Sequence, residues 1–183
     1  MLQDLSLHIL DLVQNSLAAQ ASLVQISIIE DSEKNLLVLS IKDNGRGMEA
    51  SLAAKAADPF VTSRKTRRVG LGLAFLKASA EACDGHFMLL SKKGKGTEVT
   101  ASFALNHIDR PPLGEMEDTL ASLIACNPSI DFVYEHSTSY GKFQLDTREI
   151  RAIIKDVPIN DVDIIQWIHN YIKEGLDEIN GGA

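Results

Sequence analysis

The chain has 183 residues, 45% hydrophobic and 23% charged, with 18 Lys and Arg against 25 Asp and Glu for a formal charge of −7. This is a soluble globular profile, long enough to bury a core without a disulfide or metal staple. Its two cysteines, Cys83 and Cys126, lie far apart with no C-x-x-C pair, which excludes a zinc ribbon and a disulfide-framed secreted module.

The N-terminus MLQDLSLHILDLVQNS carries Asp4 and Asp11 where an export signal is basic, and no apolar run approaches the roughly 18 residues of a membrane span. The expectation is a cytoplasmic protein that neither crosses nor anchors in a membrane. Within residues 4–19, Leu5, His8, Ile9, Leu12, Val13, Ser16 and Leu17 recur at helical spacing, which predicts an amphipathic helix. LVQISIIE (23–30) and NLLVLSIKD (35–43) have strand length and alternation, and the polar DSEK between them predicts an antiparallel hairpin. DNGRGM (43–48) ends the second strand, 49–57 predicts a short helix, and 58–69 an irregular basic loop. GLGLAFLKASAEACDG (70–85) predicts a helix ended by Gly85. HFMLLS (86–91) and TEVTASFAL (97–105), separated by KKGKG, predict a second hairpin.

The order α-β-β-(α)-loop-α-β-β contains no βαβ repeat. It predicts an α+β fold, a two-layer sandwich with helices stacked on one face of a mixed, mainly antiparallel sheet. After IDRPPLGE (108–115) the character changes, and the segment from 107 to 183 holds six Lys and Arg against 14 Asp and Glu. We expect domains at 1–106 and 107–183, the second a small C-terminal α/β extension with helices at 115–125, 147–155 and 161–179 and strands at 130–136 and 142–146. In its last helix Ile164, Ile165, Ile168, Tyr171, Ile172, Leu176 and Ile179 form an apolar stripe with Trp167 at the margin. Packing on the main domain is its ordinary use, and docking of a partner the alternative.

Charge is segregated. Residues 55–95 hold nine Lys and Arg against three Asp and Glu, while the remainder holds nine against 22. A nucleic-acid partner needs a broad basic face, so a small phosphorylated ligand is the better expectation and no nucleic acid is expected.

Four segments give that expectation its chemistry. In DLVQNS, Asn15 sits mid-helix against its propensity, one turn from Asp11 on the same face. In DNGRGM, Asp43 ends a strand, and Gly45 and Gly47 before Met48 allow backbone to approach a flat ring. DPFVTSRK, with Phe60, Thr62 and Lys65, runs through Arg68 into Gly70, Leu71, Gly72 and Leu73, whose glycines open a helix toward an anion. KGKGT ends at Thr97, the start of the last strand of its hairpin. Each segment alone is weak: a D-x-G-x-G is a turn signal, and KGKG a hairpin turn. A P-loop is excluded because G-x-x-x-x-G-K-[ST] is absent.

Together, across about residues 5–105, the four resemble the GHKL family of ATP-binding domains, shared by gyrase-type topoisomerases, heat-shock chaperone ATPases, sensor histidine kinases and MutL-type repair ATPases. The resemblance implies the Bergerat-type fold, with ATP and magnesium bound under a lid. It implies that Asn15 ligates magnesium, that Asp43 accepts a hydrogen bond from the adenine amino group, and that lid residues among Arg64, Lys65, Arg67 and Arg68 screen the triphosphate. Family members that hydrolyse ATP often carry Glu where Asp11 stands, as general base. This chain departs from the G-x-G-L-G-L usual in the histidine kinases, with Arg68 and Val69 before GLGL.

Only fourteen residues precede Asn15, so no dimerisation hairpin bearing a phosphoacceptor histidine is expected. His8, on the face of Asp11 and Asn15, is expected to pack rather than accept phosphate. Two functions follow from the resemblance. One is a stand-alone kinase acting in trans on a partner protein, similar to the anti-sigma-factor serine kinases, with Asp11 as catalytic group. The other is an ATP-gated switch with slow hydrolysis that binds or releases a partner protein.

Overall fold

The computed structural model describes residues 4–57 and 71–180. Six strands form one sheet in the order β3-β4-β2-β1-β5-β6: β1 (Leu23–Asp31), β2 (Leu36–Asp43), β3 (Phe87–Lys92), β4 (Gly96–Ala104), β5 (Asp131–Ser137) and β6 (Lys142–Asp146). The helices are α1 (Leu5–Ala18), α2 (Ala50–Ala53), α3 (Gly72–Ala82), α4 (Met116–Cys126), α5 (Thr147–Ile154) and α6 (Val162–Ile179). This is the α+β fold expected, its sheet mixed and mainly antiparallel: β1–β2, β2–β4, β3–β4 and β5–β6 are antiparallel, and β1–β5 is parallel.

Alternation decides which face is dry. Val24, Ile26 and Ile28 of β1, Leu37, Leu39 and Ile41 of β2, and Val99, Ala101 and Phe103 of β4 are buried, together with Leu5, Ile9, Leu12 and Val13 of α1 and Leu76 and Ala80 of α3. Burial of each large aliphatic chain is worth roughly 1.5–3 kcal/mol, so this layer holds α1 and α3 on the sheet. The opposite face carries Gln25, Ser27, Ser40, Lys42 and Thr100, none of them buried.

The C-terminal segment continues the same sheet. Residues Leu23–Ile29 of β1 pair in parallel with Asp131–Ser137 of β5, and Phe132 and Tyr134 add to the same core. The connector 111–114 caps α1, where the amides of Leu5 and Ser6 donate to the carbonyls of Pro112 and Leu113, both at 2.9 Å. Asp4 completes that cap by accepting from the Leu7 amide at 2.9 Å.

Two expectations change in detail. The short helix predicted over 49–57 is confined to Ala50–Ala53. The predicted glycine stop is at work one residue earlier: Asp84 adopts the left-handed conformation (φ 54°) that ends α3. Gly85 is needed instead for space, since a Cβ there would overlap the Ser102 carbonyl. Gly94, by contrast, has φ 73° with nothing within 4 Å of a Cβ. Gly85→Ala should therefore cost about 3 kcal/mol by forcing backbone apart, and Gly94→Ala only about 1 kcal/mol of conformational strain. Denaturant unfolding of both variants tests this, and equal losses would contradict it.

Candidate functional site

Asp43 is the last residue of β2 and points into the helix-facing side, where it is 8% exposed. A carboxylate so placed needs donors. Ser16, on α1, donates its Oγ to Asp43 Oδ2 at 2.9 Å, and the Gly45 amide donates to Oδ1 at 2.8 Å. The second bond is a tight turn within DNG that fixes the carboxylate relative to its own backbone.

Further hydrogen bonds hold the loop after β2. Asn44 accepts from the amides of Ser22 and Leu23 at 2.9 and 3.0 Å. The Arg46 amide donates to the Ala19 carbonyl at 2.9 Å, and the Gly94 amide donates to the Arg46 carbonyl at 2.7 Å. Glycines permit this crowding: a Cβ on Gly45 would lie 2.8 Å from the Ala19 carbonyl oxygen, and one on Gly47 (φ 61°) would overlap the Lys92 carbonyl.

Across the sheet, Asp43 faces Thr97, and Thr97 faces Ser91. Ser91 Oγ lies 2.8 Å from Thr97 Oγ1, donates to the Gly96 carbonyl at 3.1 Å and accepts from the Met48 amide at 2.9 Å. Asp43, Thr97, Ser91 and Met48 thus form one polar row at the end of three strands. Gly96, at φ 96°, completes it, because a Cβ would overlap the Asp43 carbonyl.

Asp11 and Asn15 are exposed one turn apart on α1, Asp11 toward its middle and Asn15 immediately before Ser16. The Asp11 carboxylate lies against Gly72, where a Cβ would overlap Asp11 Oδ2. α3 therefore begins directly beside Asp11, and its N-cap residue Leu71 makes no side-chain capping bond; first-turn amides at a helix start are the groups an anion or water can satisfy. Leu71 and Leu73 are half-buried and Gly72 is buried. Asn15 makes no side-chain hydrogen bond among the described residues. No group of three or more His, Cys, Asp or Glu able to hold a metal occurs among the described residues, so any cation here would rest on one or two protein oxygens and on a ligand. Phe60, Thr62, Lys65, Arg68 and Gly70, with Arg64 and Arg67, lie outside the described residues.

Of the ten expected site residues that are described, Asp43, Gly45, Gly47, Met48 and Thr97 gather at one end. Asp11, Leu71, Gly72 and Leu73 gather at the start of α3, Asn15 stands on α1 between Asp11 and Ser16, and α1 spans the two groups. Ser16 and Ser91 were not anticipated as site residues. Ser91 had a signal, since the predicted hairpin places it opposite Thr97; Ser16 was visible only as the residue after Asn15.

The family model described as histidine kinase-, DNA gyrase B-, and HSP90-like ATPase matches residues 2–107. The chain belongs to this family. It is similar to a putative sensor protein of Shewanella frigidimarina (33% identical over 109 residues, 58% of this chain and 17% of that protein). It is similar also to the sensor histidine kinase WalK of Bacillus subtilis (35% over 106 residues, 54% and 17%) and the sensor protein kinase FleS of Pseudomonas aeruginosa (36% over 110 residues, 60% and 27%). The chain thus spans between 17% and 27% of these relatives' lengths. Two solved structures share its fold: the N-terminal domain of a DNA repair protein (TM-score 0.53, 20% identity, 79% of this chain and 53% of that one) and the Aquifex aeolicus MutL ATPase domain complexed with ADP (TM-score 0.50, 14% identity, 85% and 70%). Among the described residues no helix is long and apolar enough to cross a membrane.

His8, one turn before Asp11, is fully buried, and neither ring nitrogen has a partner among the described residues. Burial holds its pKa below the usual value, opposed by the nearby charges of Asp11 and Asp4. The folded protein thus keeps His8 neutral where the unfolded chain protonates it, below pH about 6.5. Stability should fall as pH drops through that value, and His8→Leu should flatten this part of the profile. An unchanged slope in urea titrations from pH 7 to pH 5 would contradict the assignment.

Proposed function

We propose that this protein is an ATP-binding regulatory protein that uses magnesium and ATP to phosphorylate a partner protein in trans. The observation that carries this reading is the placement of two carboxylates at α1, one on the helix and one at the end of β2 bonded to it. Asp43 is buried and fixed by Ser16, while Asp11 is exposed against the first residue of α3. Ser16 and Asp11 are five residues apart, about 7.5 Å along a helix, so one rigid element sets the distance between a recognition end and a reactive end.

At the recognition end, Asp43 accepts from the exocyclic amino group of adenine. Guanine presents a carbonyl there, which would meet the carboxylate with no proton between them, so the site selects adenine. The glycines of the loop let the ring approach backbone, and the polar row of Thr97 and Ser91 borders it. Lys65 and Arg68 would add positive charge at the triphosphate, with Gly70, Phe60 and Thr62 in the same segment.

At the reactive end the donor set fits magnesium, a hard cation that takes few protein oxygens plus phosphate oxygens. The Asn15 carbonyl oxygen would hold it, and when bound it neutralises charge on the phosphates. Asp11 then acts on the partner. The partner's hydroxyl oxygen bonds to the terminal phosphorus, the bond from that phosphorus to the ADP oxygen breaks, the hydroxyl proton passes to the Asp11 carboxylate, and ADP leaves.

A second reading is an ATP-gated switch with slow hydrolysis that binds or releases a partner. It is favoured by Asp11 itself, a methylene shorter than glutamate and held against Gly72. The fate of the terminal phosphate of labelled ATP, under excess protein with magnesium, separates the two. The kinase reading expects intact ATP retained by the wild type, retention weakened at least tenfold in Asn15→Ala, and transfer to protein on adding a cell extract. Phosphate released by the wild type and lost in Asp11→Asn would install the switch, and failure of the wild type to retain ATP would overturn both.

A further inference from the structure

Outside residues 2–107, α6 carries a surface that the nucleotide chemistry does not use. Trp167 and Tyr171 stack with centroids 5.3 Å apart and planes 7° apart, and are 50% and 40% exposed. Tyr171 lies 5.3 Å from Phe143, which lies 6.2 Å from the fully buried Tyr134. The exposed pair is therefore the outer end of an aromatic ladder rooted in the core. α6 gives up helix propensity to lie there: Gly175 is mid-helix, a cost of about 1 kcal/mol against alanine, and a Cβ at that position would overlap the Phe143 ring.

On α6 itself, the charged residues that share the pair's face have one sign. At 3.6 residues per turn, Asp163, Glu174 and Glu178 share the face of Trp167 and Tyr171, and all five are exposed. None of the three acids is in an ion pair among the described residues. The face combines flat π surface with uncompensated carboxylates, the two features that attract a guanidinium or ammonium group. A second copy of the same face would bring like charges together, which opposes self-association here.

We propose that the Trp167–Tyr171 face of α6 is the docking site for an arginine- or lysine-bearing segment of a partner protein, whose cation stacks on the aromatic pair between the α6 carboxylates. The site is separate from the nucleotide pocket, so its test is run without ATP. The chain has one tryptophan, so Trp167 emission reports occupancy directly. The probes are a labelled peptide alternating arginine with leucine and its glutamate–leucine counterpart.

The arginine peptide should bind saturably and shift Trp167 emission, and the glutamate peptide should not. By anisotropy, Trp167→Ala should weaken binding about threefold to fivefold, on the scale of one cation–π contact, and Glu174→Lys at least as much. Glu33→Lys makes the same charge change in the exposed β1–β2 turn and should leave affinity unaltered. All three variants replace exposed side chains, and circular dichroism verifies their folding. The proposal is overturned if Glu33→Lys weakens binding as much as Glu174→Lys, or if Trp167→Ala binds like wild type. It is overturned equally if sedimentation shows a dimer that Trp167→Ala abolishes, which would make the face a self-association surface.

Discussion

A carboxylate that ends a strand inside a protein must be satisfied where it stands, and the two hydrogen bonds that satisfy Asp43 fix much of the rest. Its bond to Ser16 sets the rotation and height of α1 over β2. Its bond to the Gly45 amide sets the turn that follows, from which the Arg46 amide reaches the end of α1 and the Arg46 carbonyl reaches the β3–β4 turn. Charge-assisted bonds of this kind are stronger than neutral ones, and leaving the group unpaired would cost several kcal/mol. Because α1 is fixed by its Ser16 end, Asp11 and Asn15 are fixed with it, and α3 starts against Asp11 rather than elsewhere.

The same logic of shared elements joins the two halves of the chain. β1 pairs on one side with β2 and on the other with β5, so the strand next to the site-bearing β2 is also the attachment of the C-terminal segment. The connector at 111–114 returns to cap α1. A change of packing in the C-terminal segment therefore has two short routes to the site, one through the sheet and one through the start of α1. Between Glu30 of β1 and β5 there is also a polar tie: His136 Nε2 lies 2.7 Å from Glu30 Oε1, and its Nδ1 lies 3.0 Å from the Tyr134 hydroxyl.

Most elements were legible because periodicity is strong where one face is buried. α1, both hairpins and the C-terminal helices are each within a residue or two of where alternation and helical spacing put them, and the α+β class followed from their order. The parallel pairing of β1 with β5 was not legible: nothing in LVQISIIE or in 130–136 marks a partner more than a hundred residues away. The end of α3 was misplaced because Gly85 looks like a helix stop, whereas the conformational work falls on Asp84 and Gly85 serves a packing contact with Ser102. At the site, the residue types of Asp43, Asn15 and the glycines carried the resemblance. Ser16, which donates to Asp43, and Ser91, which accepts from the Met48 amide, are ordinary serines whose role depends on which strand and helix face them.

The proposed role of Asp43, held by Ser16 and the Gly45 amide, is to select adenine. Isothermal titration of ATP and GTP, with magnesium, into wild type and Asp43→Asn tests it most directly. The wild type should bind ATP at least a hundredfold more tightly than GTP, and Asp43→Asn should lose most of that preference while staying folded. Equal affinity of the wild type for the two nucleotides, or a preference untouched by the substitution, would contradict it.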